Sequence, residues 1–230
     1  MVIILLILSV LTGALLGKIL GERQALAKYM LILSAGFLIT ICINEVFPEV
    51  YHAGDSNIGL WVIGGVLLQI LLENLTKGFE HGHFHHKSDK KNILPLALMF
   101  GLFVHAFLEG IPLANDSDIH NPFLLGIVVH NIPISFILGS FLVKNKKFSS
   151  SAYLIIAFFA LASPLGVVLG KYFNPALEPY FLAIVGGIFL HISSVIIFES
   201  SKNHNTDWTK IGLVLLGVLL ALGSHLFHTH

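Results

Sequence analysis

Eight stretches of about 20 mostly apolar residues make up most of this chain, which has 230 residues and is 55% hydrophobic. A helix needs that length to cross the hydrocarbon core of a bilayer. The stretches lack the alternation of a transmembrane barrel, and backbone groups find no water in that core, so α-helices are predicted. Their predicted bounds are 2–20, 29–49, 58–76, 94–114, 122–143, 151–171, 179–199 and 209–227. The sequence therefore predicts an all-α, polytopic membrane protein whose residues 1–230 form a single transmembrane domain.

The charged residues, 11% of the chain, gather between these stretches and predict how the protein is oriented. Of the 13 Lys and Arg residues, all but Lys171 fall on one side of the membrane if each stretch crosses it once. The positive-inside rule makes that side cytoplasmic and places both termini outside. The opposite side carries Asp55, Asp116, Asp118 and Glu178. A formal net charge of zero gives no indication of a nucleic-acid partner.

Two histidines, His105 and His130, lie near the middle of the fourth and fifth predicted spans. Ionisable side chains are costly at that depth, usually face the interior of a bundle, and indicate a functional site. Glu109 follows His105 by one helical turn, so both side chains can reach one ion. His130 enters from the next, antiparallel span at a similar depth, with Asn131 beside it. Imidazole nitrogen and carboxylate oxygen suit Zn²⁺ and other first-row divalent cations. The alternative is that His105 and Glu109 form a neutralised hydrogen-bonded pair within the bundle.

Further polar residues lie near the ends of other spans. Glu45 and Glu49 share a face near the outer end of the second span and are predicted to line an entrance. The alternative is an interfacial pair near water. His191 lies halfway along the seventh span, with Glu199 two turns later near the cytoplasm. These two residues are predicted either to form an exit step for the ion or to make a polar contact within the bundle.

The longest connection, residues 77–93, is polar and cytoplasmic in the predicted topology. It contains four closely spaced histidines, His81, His83, His85 and His86. Such a tract cannot pack a core, and short His-rich tracts often bind metal loosely. We predict metal capture by this loop, with a merely solvated loop as the alternative.

These motifs, in this order, resemble those of the ZIP (Zrt/Irt-like) family of divalent-metal transporters. The segment HAFLEG at 105–110 resembles the HNxPEG motif of family span 4, and HNIP at 130–133 resembles the HNIPEG motif of span 5. Weaker similarity covers NEVFPE at 44–49, SPLG at 163–166 and the segment from 187 to 199. Eight spans with both termini outside also agree with the family. The resemblance implies an elevator-like or rocking movement of one helix group against another around the site.

The chain departs from the family pattern at several polar positions. The span-5 carboxylate is replaced by Ile134 and the following glycine by Ser135, while Ala106 stands for the span-4 asparagine and Ser163 for an acidic residue of span 6. The resemblance therefore implies loss of a second, adjacent metal ion. The site that the resemblance implies for this chain holds one ion. Its ligands are His105, Glu109 and His130, with Asn131 as a weak oxygen ligand and water completing the shell. One carboxylate in place of two predicts weaker binding and a net charge near +1 when a divalent cation is bound.

Together these observations predict a carrier, with no enzymatic activity, that imports Zn²⁺ or another first-row divalent cation as its substrate. Uptake is expected to fall as the pH drops through the histidine range, because imidazole must be neutral to bind metal. A multi-pass location in the plasma or bacterial inner membrane, contact with lipid and a homodimer are further expectations. Ile134 and Ala106 keep open a non-transporting metal-binding or sensor relative. An intramembrane zinc hydrolase is a weaker alternative, since the sequence has no HExxH motif.

Overall fold

The computed structural model describes residues 1–21, 23–52, 56–76, 96–116, 118–144, 149–199 and 207–226, apart from some side chains at helix ends. Within these ranges the chain is almost entirely helical and contains no strand. The α-helices are α1 (Val2–Leu20), α2 (Gln24–Ile41), α3 (Phe47–His52), α4 (Ile58–Thr76), α5 (Leu96–Gly110), α6 (Pro122–Lys144), α7 (Ser149–Gly170), α8 (Glu178–Glu199) and α9 (Trp208–Leu226). Short 3₁₀ turns at Ile111–Leu113 and Pro175–Leu177 extend α5 and precede α8.

The prediction of an all-α polytopic membrane protein is confirmed. Six of the described helical segments are long and apolar enough to cross a membrane, with bounds of Val2–Leu20, Ala25–His52, Ile58–Leu75, Pro122–Phe141, Tyr153–Gly170 and Pro175–Phe198. The other two predicted spans correspond to shorter apolar helices, Met99–Leu113 and Trp208–Ser224. The outward position of both termini stays a prediction.

The second span differs from the regular helix that the sequence predicts at 29–49. It starts at Gln24 and reaches His52, and a π-helical turn at Cys42–Val46 interrupts it. The N–H of Phe47 donates to the carbonyl of Cys42, five residues earlier. Pro48 follows directly; it has no N–H, and its ring would clash with a carbonyl four residues back in a regular helix. The wider turn therefore accommodates the proline, and it separates Glu45, in the π turn, from Glu49, in α3.

The helices α4 and α8 pack with their backbones in contact. A Cβ atom built at Gly65 would meet the carbonyl oxygen of Ile184, and one at Gly187 would meet that of Val62. Glycine lets the two backbones approach this closely, as small residues commonly do between membrane helices. A Cβ atom built at the neighbouring Gly64 would meet nothing within 4 Å. The close approach of the two helices therefore depends on Gly65 and not on Gly64.

A similar contact joins α5, which carries two of the predicted metal ligands, to α7. A Cβ atom built at Gly110 would meet the carbonyl oxygen of Ser163, and one at Gly166 would meet that of Phe107. Glycines also bring α1 against α6 and α2 against α9. Each of these helix pairs is thereby held at a fixed, short separation.

The contacts divide the helices into two groups. Helices α1, α5, α6 and α7 pack mainly on one another, and α2, α4, α8 and α9 do the same. The groups meet where α2 packs on α6 and α4 packs on α5. At the α2–α6 boundary, a Cβ atom at Gly126 would meet side chains of Leu38 and Ile41 at 3.6–3.9 Å, which is an ordinary van der Waals distance. The boundary between the groups therefore passes beside the helices that carry the predicted metal ligands.

Candidate metal site

His105 and Glu109 lie on one face of α5, as expected for residues four apart in a helix. The Nε2 atom of His105 lies 2.8 Å from Oε1 of Glu109, and the two side chains are 1% and 0% exposed. Both residues are therefore inside the bundle rather than facing lipid.

His130 comes from α6 and completes a group of three possible ligands. Its ring centroid lies 5.9 Å from that of His105, and the two rings are inclined by 70°. One ligand atom from each of His105, Glu109 and His130 lies within 4.8 Å of the others. His105 lies eight residues before Leu113, where the helical segment of α5 ends, and His130 lies eight residues after Pro122, where α6 begins. At 1.5 Å per residue, both histidines are about 12 Å from the end of the bundle that contains Leu113 and Pro122. This equal depth is why two antiparallel helices bring the two imidazoles together.

The buried carboxylate of Glu109 gives the site its charge. Oε2 of Glu109 has no hydrogen-bond partner among the described residues. Burying a carboxylate without a counter-charge or hydrogen bonds is strongly unfavourable. A carboxylate whose neighbours are imidazole nitrogens is therefore suited to hold a cation. The mixed nitrogen and oxygen set is typical of Zn²⁺ and other first-row divalent ions.

Asn131 follows His130 on α6 and is 1% exposed. Its Nδ2 atom has no hydrogen-bond partner in the part of the chain that is described. The Oγ of Ser135 donates to its backbone carbonyl at 2.5 Å, so that hydroxyl is engaged within α6. Asn131 is thus a buried amide beside the three-residue group.

An aromatic side chain of α8 borders the site beside His130. The ring of Phe189 on α8 lies 6.1 Å from that of His130, edge to face, and packs in turn against Phe123 at 5.9 Å. Phe189 is fully buried. An apolar border of this kind keeps water from the imidazole and lowers the local dielectric constant, which strengthens the attraction of a ligand group for a cation.

Gln69 is a polar neighbour of the site that the sequence analysis missed. It lies on α4, is 0% exposed, and its Oε1 is 3.2 Å from Nδ1 of His105. The signal was available, because Gln69 interrupts an otherwise apolar run from Ile58 to Leu72. Helical spacing alone, however, does not reveal that α4 faces α5.

The positions where the chain departs from the family pattern are all buried. Ile134, Ala106 and Ser163 are 1%, 1% and 3% exposed. Ile134 follows His130 by one turn of α6, so an apolar side chain occupies the place of a second carboxylate. Among the described residues, the three-residue group therefore contains one carboxylate, that of Glu109.

A cavity of about 280 Å³ opens at the end of the bundle nearest the 3₁₀ turn after α5. Three carboxylate residues line it, Glu49, Asp116 and Glu178. Glu45, the other predicted entrance residue, is half-buried in the π turn and is not among the residues that line the cavity. The structure thus brings Glu49, but not Glu45, to this acidic opening.

His191 and Glu199, the predicted exit residues, lie on α8. Nε2 of His191 is 2.9 Å from Oε2 of Glu73 on α4, and the side chains are 15% and 29% exposed. The partner that the structure gives His191 is therefore Glu73. The side chain of Glu199 lies outside the described part of the chain, as does the whole predicted capture loop with His81, His83, His85 and His86.

One family model, described as ZIP Zinc transporter, matches residues 85–224, which is more than half of the chain. The matched range includes His105, Glu109, His130 and His191. No curated protein matches the chain.

Proposed function

Because the chain belongs to the ZIP zinc transporter family, we propose that it imports Zn²⁺ or another first-row divalent cation through His105, Glu109 and His130. Transporters of this family carry zinc or other divalent metals as substrate. The observation that carries the proposal is the buried group of three ligand atoms, from two helices, within 4.8 Å of one another. The protein is a multi-pass membrane protein, and we assign it to the plasma or bacterial inner membrane.

The ion enters from the outer face through the acidic cavity. Glu49, Asp116 and Glu178 attract a hydrated cation there and raise its local concentration. The ion loses water on reaching His105, Glu109 and His130, and Asn131 or remaining water completes its shell. Three protein ligands form an open site rather than the closed four-ligand shell of a structural zinc site, and an open site is compatible with release.

The exit continues along α4 and α8 toward the cytoplasm. Glu73 and His191 lie about 20 Å from the outer ends of their helices at 1.5 Å per residue, deeper than the central group. A second imidazole–carboxylate pair at that depth gives the departing ion a transient partner. The His-rich loop 77–93 follows α4 directly and would receive the ion on the cytoplasmic side.

Flux into liposomes tests this proposal. Purified protein is reconstituted with a zinc-sensitive dye inside, and the initial rate is measured for His105→Ala, His130→Ala and Glu109→Gln. Each variant should lower the initial rate by more than about 100-fold, because even the outer hydrogen-bond partners of a metal ligand contribute 10- to 100-fold to metal affinity or activity. His120→Ala is the matched control, since His120 is 65% exposed in the loop before α6. Rates like wild type in all three site variants would rule out this site.

A non-transporting metal-binding relative is the second candidate, favoured by the apolar Ile134 in place of a carboxylate. Equilibrium Zn²⁺ binding, measured on the same preparations, separates the two functions. Saturable binding that His105→Ala abolishes, together with no flux above empty liposomes, would establish the second candidate and contradict the transporter.

A further inference from the structure

Gln69 joins the candidate site to the other helix group. The residue is fully buried in α4, which packs on α8, whereas His105 belongs to α5, which packs on α7. The amide oxygen of Gln69 lies 3.2 Å from Nδ1 of His105. A buried amide is unfavourable unless it is hydrogen-bonded, so this contact accounts for a glutamine in the middle of an apolar helix.

The two nitrogens of the His105 ring therefore have different surroundings. Nδ1 faces the amide oxygen of Gln69, and Nε2 faces the carboxylate of Glu109 at 2.8 Å. An amide oxygen only accepts hydrogen bonds, so this contact is a hydrogen bond when Nδ1 carries the proton. A neutral imidazole has one protonated nitrogen, which leaves the lone pair on Nε2. That lone pair points to the carboxylate, where a cation would lie.

We propose that Gln69 is a positioning residue, which holds His105 in the Nδ1-protonated tautomer and presents Nε2 to the metal ion. This inference rests on the proposed function, because it gives Gln69 a role in the same site. Ligating histidines usually donate their second N–H to an oxygen, which fixes the ring orientation and raises the basicity of the ligand nitrogen. Here that oxygen comes from a different helix and a different helix group.

Zn²⁺ affinity of detergent-solubilised full-length protein is the first test. Gln69→Leu keeps the size of the side chain but removes the acceptor, and it should weaken binding by about 10- to 100-fold. Gln69→Glu keeps an oxygen acceptor facing Nδ1 and should restore affinity to wild type or better. Asn74→Leu is the matched control, because Asn74 is an amide of the same helix that donates to its own backbone at Ile70. Affinity like wild type in Gln69→Leu, or equal losses in Gln69→Leu and Gln69→Glu, would overturn the inference.

Nitrogen NMR of ¹⁵N-histidine protein is the second test and does not depend on whether Gln69→Leu folds. Comparison of wild type with His105→Ala identifies the His105 signals, which should show a protonated Nδ1 in metal-free protein and a shifted Nε2 when Zn²⁺ is added. A protonated Nε2 with an unprotonated Nδ1 in metal-free protein would overturn the proposal.

The binding experiment also distinguishes a failure of the role of Gln69 from a failure of the proposed metal site. If His105→Ala abolishes binding and Gln69→Leu does not, only the role of Gln69 fails, whereas unchanged binding in His105→Ala rejects the site itself.

Discussion

The imidazole of His191 and the carboxylate of Glu73 lie 2.9 Å apart across the α4–α8 contact, and Glu73 follows Gln69 by one turn of α4. Residues four apart share a helix face. One face of α4 therefore presents Gln69 to the central group and Glu73 to a second imidazole, that of His191, nearer the C-terminal end of α4. The two contacts mark successive levels along the same helix.

If this pair receives the departing ion, its loss should slow transport without weakening the central site. Glu73→Gln and His191→Ala should each lower Zn²⁺ flux by roughly three- to tenfold while equilibrium affinity stays within about threefold, the pattern of a step after binding. The double variant should be no slower than the worse single variant, because the two side chains act as one unit. Additive losses in the double variant, or unchanged flux in both singles, would contradict this role.

The acidic cavity should act through its charge on the rate of ion arrival. Glu49→Gln combined with Glu178→Gln should lower uptake by roughly three- to tenfold at low ionic strength, because attractive fields raise on-rates. The difference should shrink at 0.15 M salt and above, where the Debye length is about 8 Å or less. Initial rates at several salt concentrations measure the effect. Asp118→Asn is the matched control, because Asp118 lies at the same end of the bundle but does not line the cavity. A salt-independent loss would point to direct ligation instead.

Restoring a second carboxylate at Ile134 should tighten metal binding. Ile134→Glu should raise Zn²⁺ affinity at least about tenfold. Two opposite unit charges 4 Å apart attract by about 4 kcal/mol at an effective dielectric constant of 20. The cost of desolvating the new carboxylate removes only part of that energy. The same change should lower the melting temperature of metal-free protein, since Ile134 is 1% exposed and the new charge is buried. Saturating Zn²⁺ should recover that loss.

Thermal unfolding with and without Zn²⁺ measures both effects of this substitution. Ile134→Gln is the control, because it is polar and of similar size but carries no charge. Equal zinc-dependent stabilisation of the two variants would show that the new side chain does not reach the ion.

The glycine contact between α4 and α8 predicts that alanine is tolerated at Gly64 but not at the neighbouring Gly65. Gly65→Ala should destabilise the protein by about 1–3 kcal/mol, because its Cβ would meet the backbone of α8, which cannot move aside as a flexible side chain could. Gly64→Ala should leave stability unchanged or slightly raise it, since a Cβ there meets nothing within 4 Å and alanine favours helix. Melting temperatures in detergent compare the two. Equal melting temperatures would contradict the close packing of these helices.

The sequence predicts the features that depend on one helix at a time. Bilayer thickness sets the length of each apolar run, so the predicted spans agree with the helices to within a few residues at most ends. Helical periodicity places Glu109 on the face of His105, and equal distance from the helix ends places His130 at the same level. Membership of the ZIP family, inferred from these motifs, is confirmed. That the group binds a metal ion stays a prediction.

What the sequence does not predict depends on which helices are neighbours. Gln69 reaches His105 only because α4 packs on α5, and His191 meets Glu73 only because α4 also packs on α8. Contacts between residues this far apart in the chain leave no periodic signal. The π turn before Pro48 is also unpredicted, because a proline can be accommodated either by a kink or by a wider turn, and the surrounding packing decides between them.

The glycine contacts also bear on which parts of the molecule can deform. At Gly65 and Gly110 the backbones of two helices are in direct contact, with no side chain between them. Each of these helix pairs is therefore expected to move as one rigid unit. At the α2–α6 boundary, by contrast, Gly126 contacts side chains, which can change rotamer, so this contact deforms more easily. The movement of one helix group against the other, which the family resemblance implies, would occur where the groups meet, and it would separate Gln69 from His105.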